Sequence, residues 1–277
     1  MLRFFEENSI SLQLSDLSII AQEISEKNKI ELYQHKILGK ILVINNEIQH
    51  IEAWQLIYHE PVVHIPISFI SNIKKALILG GGSFFAAMEI LKYDSVEQVV
   101  MVDHDENVIK IVHDNYKHVK QIISNKKFKL VSKDIFGFLN ENTIKFDLII
   151  NDAIDLLDHG IHNYEALASH LTTEGVCSDV VYRHIFEKER CQKTIIQLRK
   201  KHKCAFSLIT IPEYPGILHL LSMWSNNPGV VQDAKTTINQ IQKGWLVNGD
   251  CPCEIFNPAF INYYLYLPPY LKKWVNI

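Results

Sequence analysis

The stretch that most constrains this chain is Ala76-Leu77-Ile78-Leu79-Gly80-Gly81-Gly82-Ser83-Phe84-Phe85-Ala86-Ala87. Four apolar residues run into three glycines, a hydroxyl residue and a helix-like run from Phe84 to Leu91. The pattern reads as a strand, a tight turn and a helix start. Glycines let the backbone turn sharply and approach a ligand without a Cβ in the way. The first N–H groups of a helix favour electron-rich ligand atoms, and Ser83 is placed to cap that helix. A nucleoside-type ligand is the expectation.

The residues beyond this stretch fit an α/β chain in which strands and helices alternate around a mostly parallel sheet. Strands are expected at Ala76–Leu79, Gln98–Asp103, Phe128–Val131, Phe146–Ile150 and Gly175–Val181. A helix capped by Asp105 carries Val108, Ile109, Val112, Tyr116 and Val119 at helical spacing. A long amphipathic helix over Phe186–His202 precedes an antiparallel pair, Phe206–Ile211 and Leu218–Trp224. Upstream, Lys40–Ile44, Asn45-Asn46 and Glu47–Ile51 read as a hairpin. A short helix is expected within Glu52–His59, and Pro61 and Pro66 then punctuate the chain. The expected division is a small β-domain over residues 1–66 and a Rossmann-like domain over 67–277.

The totals narrow the class. With 28 Lys and Arg against 31 Asp and Glu, the net charge of −3 offers no basic field for nucleic acid. No uninterrupted apolar run approaches a membrane span, and no leader pattern opens the chain, so a soluble cytoplasmic protein is expected. The five cysteines form no CxxC pair. Cys251-Pro-Cys253 lacks a second half, so reduced thiols and no metal are expected.

Ligands of a doubly wound sheet bind beyond the carboxyl ends of its strands. Here the strand ends carry Gly80–Ser83, Asp103, Asp134 and Asp152. Asp103 follows the glycines by about 20 residues, a spacing that suits a ribose diol. Asp134 sits where an adenine edge is read. Counting G-x-G-x-x-G from Gly80 puts Phe85 at the third glycine, which obstructs the packing a dinucleotide site requires. S-adenosylmethionine has no pyrophosphate and tolerates the pattern. Asp152 and Asp155, three apart after the fourth strand, can face one pocket and either bind a cation or deprotonate an amine nucleophile.

These motifs resemble those of the spermidine-synthase family of aminopropyltransferases over nearly the whole chain. The family hairpin is matched by Leu38-Gly39-Lys40 through Gln49, and its YHE triplet by Tyr58-His59-Glu60. The GGGDGG motif stands as Gly80-Gly81-Gly82-Ser83-Phe84-Phe85, and D-x-x-D as Asp152 and Asp155. Tyr214-Pro215-Gly216 and Phe256-Asn257-Pro258 through Leu267-Pro268-Pro269 match later segments. The resemblance implies an adenosyl sulfonium co-substrate held by Gly80, Gly81, Gly82, Ser83, Asp103, Asp134, Gln49 and His59. It implies Asp152, Asp155 and Tyr58 at the reacting centre, Tyr214 and Asp155 toward the acceptor, and a homodimer through the β-domain.

The departures carry information. The family's aspartate in the glycine motif faces the amino group of decarboxylated S-adenosylmethionine; Ser83 replaces it. A carboxylate there would repel the carboxylate of intact S-adenosylmethionine by about 4 kcal/mol at ~4 Å and an effective dielectric near 20. A hydroxyl would not. The overall sequence is similar to the aminocarboxypropyl-transferring branch of the family found in microcin C-type antibiotic biosynthesis. That resemblance implies transfer of a 3-amino-3-carboxypropyl group to the phosphoramidate of a peptidyl-adenylate, with a pyridoxal-phosphate decarboxylase as partner enzyme. The alternatives are a polyamine aminopropyltransferase using the decarboxylated donor, a methyltransferase, and a non-catalytic binding protein on the same scaffold.

Overall fold

The structure is a computed structural model describing residues 2–7, 10–25, 28–152, 162–183, 188–214, 218–231 and 253–275. Two antiparallel strands, β1 (Leu2–Glu7) and β2 (Ile10–Leu14), open the chain. They precede a four-stranded antiparallel meander: β3 (Ser18–Ile24), β4 (Lys29–His35), β5 (Gly39–Ile44) and β6 (Glu47–Ile51). The β5–β6 turn is Asn45-Asn46, with φ of 50° and 68°. Two successive left-handed residues match the twist of a two-residue hairpin, and asparagine tolerates that conformation better than most.

Helix α1 (Gln55–Ile67) comes next, preceded by one 3-10 turn. It is longer than expected, and Pro61 and Pro66 lie inside it rather than ending the chain's first unit. Nine consecutive residues from His59 to Ile67 are buried. Val62, Val63, Ile65 and Ile67 join the core cluster that holds Ala76, Ile78, Ala86 and Leu148. Tertiary burial thus outweighs the backbone hydrogen bond that an interior proline removes. The division expected at residue 66 falls at the end of this helix, which packs against the larger domain.

That domain is built on a seven-stranded sheet in the order β12-β13-β11-β10-β7-β8-β9. Its strands are β7 (Lys75–Gly80), β8 (Gln98–Asp103), β9 (Phe128–Ser132), β10 (Phe146–Asp152), β11 (Leu171–Arg183), β12 (Lys203–Thr210) and β13 (Leu218–Ser225). β11, β10, β7, β8 and β9 run parallel; β13 is antiparallel to β11, and β12 to β13. The architecture is a Rossmann-like α/β core with a mixed central sheet and a small N-terminal β-domain. Helices α2 (Phe85–Ile90), α3 (Glu106–Asn115), α4 (Lys117–Ser124), α5 (Ile135–Glu141), α6 (His162–Ser169) and α7 (Lys188–Lys201) cross between strands. From β7 the chain adds β8 and β9 on one side and then returns to place β10 on the other. This reversal puts a crevice at the carboxyl ends of β7 and β10.

The glycine turn differs from expectation at its exit. Ser83 does not cap α2; the N-cap is Phe84, held left-handed at φ 65° without any side-chain cap. Its N–H reaches the Gly81 carbonyl at 2.7 Å, and its ring is fully buried against Phe128. A fully buried aromatic holds a conformation that L-residues otherwise avoid by roughly 1–2 kcal/mol.

Candidate active site

A cavity of about 230 Å³ opens at the β7–β10 crevice, between the larger domain and the β3–β6 meander. Gly81, Gly82, Ser83, Asp103, Tyr58 and Asp152 contribute to its wall. Gly80 and Gly81 both have φ of 80°. A Cβ on Gly81 would stand 2.9 Å from Ile78 Cγ2 and 3.4 Å from Asp152 Oδ2. One on Gly82 would stand 3.0 Å from both Asp103 Oδ2 and Val108 Cγ1. The glycines therefore keep two carboxylates in reach of one ligand-sized space.

Asp103 ends β8 and accepts the Asp105 N–H at 3.0 Å. Burial raises its pKa, and that N–H opposes the rise. Asp105 caps α3 by accepting from the Asn107 and Val108 amides, and its other oxygen accepts from Asn28 Nδ2 at 2.7 Å. That bond ties the small domain to the cavity rim.

Asp152 ends β10. Its Oδ1 accepts from the Tyr58 hydroxyl at 2.9 Å. Burial raises the Asp152 pKa, while the neighbouring His59 and the Tyr58 hydrogen bond pull it down. Burial and the Asp152 charge together push the Tyr58 phenol well up, so it stays a donor. His59 is buried, and its Nδ1 donates to the Gln55 carbonyl at 2.8 Å; burial lowers its pKa. Below this group, Asp179 accepts from Asn151 Nδ2 at 2.7 Å and from the Tyr164 hydroxyl at 3.0 Å.

Gln49 reaches the cavity because β6 carries a bulge. The β5–β6 register passes from Leu42↔His50 to Val43↔Ile48, which leaves Gln49 as the extra residue. A bulge re-aims side chains at the edge of a site, and both Gln49 and His50 line this cavity. His50 was not among the residues expected there; Tyr116 and His118 pack behind it. His50 Nε2 lies 2.7 Å from the Tyr116 hydroxyl. His118 Nε2 donates to the Ser83 carbonyl at 3.1 Å, and its ring stacks on Phe85 with centroids 4.4 Å apart. Strict alternation hides His50, because the bulge is visible only in the paired strands.

Asp134 is exposed and caps α5, with Oδ2 accepting the Gly137 amide at 2.8 Å. It stands at the end of β9, apart from the residues that wall the cavity. Asp155 lies outside the described residues. Tyr214 is near enough to Tyr58 to bear on its ionisation, and its ring meets His219 at 5.7 Å. Among the described residues one group, His64, Glu89 and Cys253, has metal-ligand atoms within 4.8 Å of one another. His64 and Lys92 already engage Glu89 there, which accounts for its charge without an ion.

The sequence model of the spermine/spermidine synthase domain matches residues 55–234. The chain is a member of that family. It is thereby an alkyl-transferring enzyme of the aminopropyl class. The polyamine aminopropyltransferases of Yersinia pestis (strain Pestoides F) and Yersinia pseudotuberculosis serotype O:1b (strain IP 31758) are each 27% identical to it over 266 residues. The match covers 92% of this chain and 87% of each relative. The crystal structure of spermidine synthase from Thermotoga maritima superimposes with a TM-score of 0.84 at 21% identity, covering 99% of this chain and 94% of that one. A spermidine synthase bound to the transition-state analogue AdoDATO gives 0.85 at 21% identity, covering 99% and 95%. Those two likenesses bear on the fold, and their coverage takes in the N-terminal meander and the C-terminal segment as well as the central sheet. Among the described residues no helix is long and apolar enough to cross a membrane.

Proposed function

We propose that this enzyme displaces methylthioadenosine from an adenosyl sulfonium and delivers the propyl arm to an amine, as a polyamine aminopropyltransferase using decarboxylated S-adenosylmethionine. The observation that carries this reading is the Tyr58–Asp152 pair beside the glycine turn, in a family whose named relatives act on polyamines. The glycines admit the donor. Asp103 accepts from the ribose hydroxyls, and Asp134, beyond the cavity wall on the neighbouring strand, is assigned to an adenine edge that extends out of the cavity past β8. The amine lone pair attacks the methylene next to sulfur, the C–S bond breaks, and sulfur leaves as a neutral thioether. Asp152 Oδ2 receives the proton, with Oδ1 held by Tyr58. Orientation supplies most of the acceleration, because reacting atoms held ~3–3.5 Å apart replace an encounter in solution. Tyr214 and Asp155 are assigned to the acceptor side.

Ser83 favours a second reading. Without the family's carboxylate at that position, the site tolerates the carboxylate of intact S-adenosylmethionine. The transferred group is then 3-amino-3-carboxypropyl, and the acceptor a phosphoramidate of a peptidyl-adenylate in microcin C-type biosynthesis. A pyridoxal-phosphate decarboxylase would then act on the product, and a homodimer through the β-domain accompanies either reading. Incubating the protein with each donor, and with a diamine or adenosine 5′-phosphoramidate, separates the two by release of methylthioadenosine. Release of S-adenosylhomocysteine instead would show methyl transfer and refute both. Undiminished product from the Asp152→Ala variant would remove the catalytic assignment.

A further inference from the structure

The connection between β12 and β13 carries a buried carboxylate that the transfer reaction leaves unused. Glu213 is 5% exposed, and its Oε1 accepts the Ile51 N–H at 3.0 Å from a residue 162 positions away. Burial raises its pKa, and two backbone N–H groups, its own and that of Ile51, restrain the rise. A neutral acceptor would satisfy a buried amide equally well. A carboxylate costs more to bury, and it makes a bond to an N–H roughly twice as strong as a neutral acceptor does. A tie of that kind between two distant segments constrains where each of them stands.

Both ends of the tie lead to the candidate active site. Ile51 is fully buried in the meander core with Tyr33, Ile41, Val43 and Ile48, so its amide is a fixed post. It closes β6, whose bulge brings Gln49 and His50 to the cavity, and the helix that begins at Gln55 carries Tyr58 and His59. At the other end, the Tyr214 N–H donates to the Ile211 carbonyl at 3.0 Å, which closes a four-residue turn, Ile211-Pro212-Glu213-Tyr214. Glu213 lies inside that turn and Tyr214 ends it. A grip on the Glu213 side chain therefore sets the position of Tyr214. The flanking strands do not do this alone: β12 is the edge strand of the sheet, and β11 separates β13 from β10. Yet Tyr214 stands near enough to Tyr58 to bear on its ionisation.

We propose that Glu213 is a positioning residue for the acceptor: by gripping Ile51 it holds the turn over residues 211–214 against the small domain and so keeps Tyr214 beside Tyr58. The proposal rests on the aminopropyl-transfer reading, in which Tyr214 stands on the acceptor side, and names the residue that sets Tyr214 there. It concerns binding of the amine and leaves the donor, held at Gly81, Gly82 and Asp103, as it is.

The test is steady-state release of methylthioadenosine by the intact protein, with decarboxylated S-adenosylmethionine saturating and a diamine varied. Glu213→Leu removes the acceptor of the Ile51 amide, and Glu213→Gln keeps an oxygen in its place. Loss of one hydrogen bond to a charged amine predicts that Glu213→Leu raises KM for the diamine by about 10- to 100-fold, with kcat within about threefold. Calorimetric binding of the decarboxylated donor stays within about twofold, which also certifies the fold. Glu213→Gln returns KM to within about threefold of the wild type. Tyr214→Phe raises KM as well, and adding Glu213→Leu to it raises KM no further, because both remove the same contact. An unchanged KM in Glu213→Leu with only a lower Tm, effects of the two substitutions that multiply, or equal weakening of the donor overturns the positioning role. No release from the wild type with any diamine refutes the aminopropyl-transfer reading and this assignment with it. Release from the wild type together with one of those three outcomes refutes the assignment alone.

Discussion

Replacing Tyr58 by phenylalanine isolates the hydrogen bond that governs the proposed base. The phenol donates to Asp152 Oδ1 at 2.9 Å in a part-buried setting. Burial raises the Asp152 pKa, and this bond is one of two interactions that restrain the rise. A hydrogen bond to a charged group contributes about 1.5–3 kcal/mol, which is roughly 10- to 150-fold at 1.4 kcal/mol per factor of ten. Losing it disfavours the carboxylate, so Asp152 holds its proton to higher pH and cannot accept one from the nucleophile. The variant's kcat/KM, measured by methylthioadenosine release and divided by the wild-type value at each pH, is expected to be lowest on the acid side. It should recover as pH rises, because Asp152 is then ionised in both proteins; the ratio cancels the ionisation of the amine itself. The sign carries over to stability. A carboxylate whose folded-state pKa is raised contributes stability below its unfolded value and loses it as pH rises through the folded one. Thermal stability of Tyr58→Phe should therefore fall more steeply with pH than that of the wild type. A ratio that is the same at every pH, or that improves toward acid, would show that Tyr58 does not set the ionisation of Asp152.

Other substitutions probe the donor site and the frame around it. Asp103→Asn removes the charged acceptor assigned to the ribose and should weaken either adenosyl donor by about 10- to 100-fold in calorimetry; a change below about threefold would remove Asp103 from the donor site. Glu60, fully buried, accepts the backbone N–H groups of Glu254, Ile255 and Phe256 at 2.7–2.9 Å. Glu60→Ala strands all three and should cost about 3 kcal/mol or more, a fall in Tm of roughly 6–12 °C, read by calorimetric melting. Phe84→Gly sets two effects against each other. Relief of the left-handed strain recovers roughly 1–2 kcal/mol, while deleting a fully buried ring costs about 3–5 kcal/mol. The variant should melt lower than the wild type, and a rise in Tm would show that strain outweighs packing there.

Much of the site was legible because it lies where strand ends meet a glycine turn. Gly80–Gly82, Asp103 and Asp152 are adjacent in the folded chain through the parallel register of β8, β7 and β10, which a strand–helix alternation already implies. The Asn45-Asn46 hairpin was equally local: two residues suffice to set a turn. Three features were not legible. The proline-containing helix α1 forms because its whole C-terminal half is buried, and no local propensity reports that. Ser83 looks like a cap in any strand–turn–helix reading, yet the turn continues by one residue because buried Phe84 takes the left-handed position. His50 enters the cavity only because β6 slips by one residue against β5.

The order of residues was enough to determine the strand–helix alternation, the glycine turn at the carboxyl edge of the sheet and the acids that stand along that edge, since these follow from period, turn chemistry and spacing. The tertiary structure decided which uncharged groups join them. Tyr58 meets Asp152 from a residue 94 positions away, and His50 meets Tyr116 from one 66 positions away. Such pairs depend on how one domain packs against another, and packing is a property of surfaces in contact rather than of any single stretch of chain.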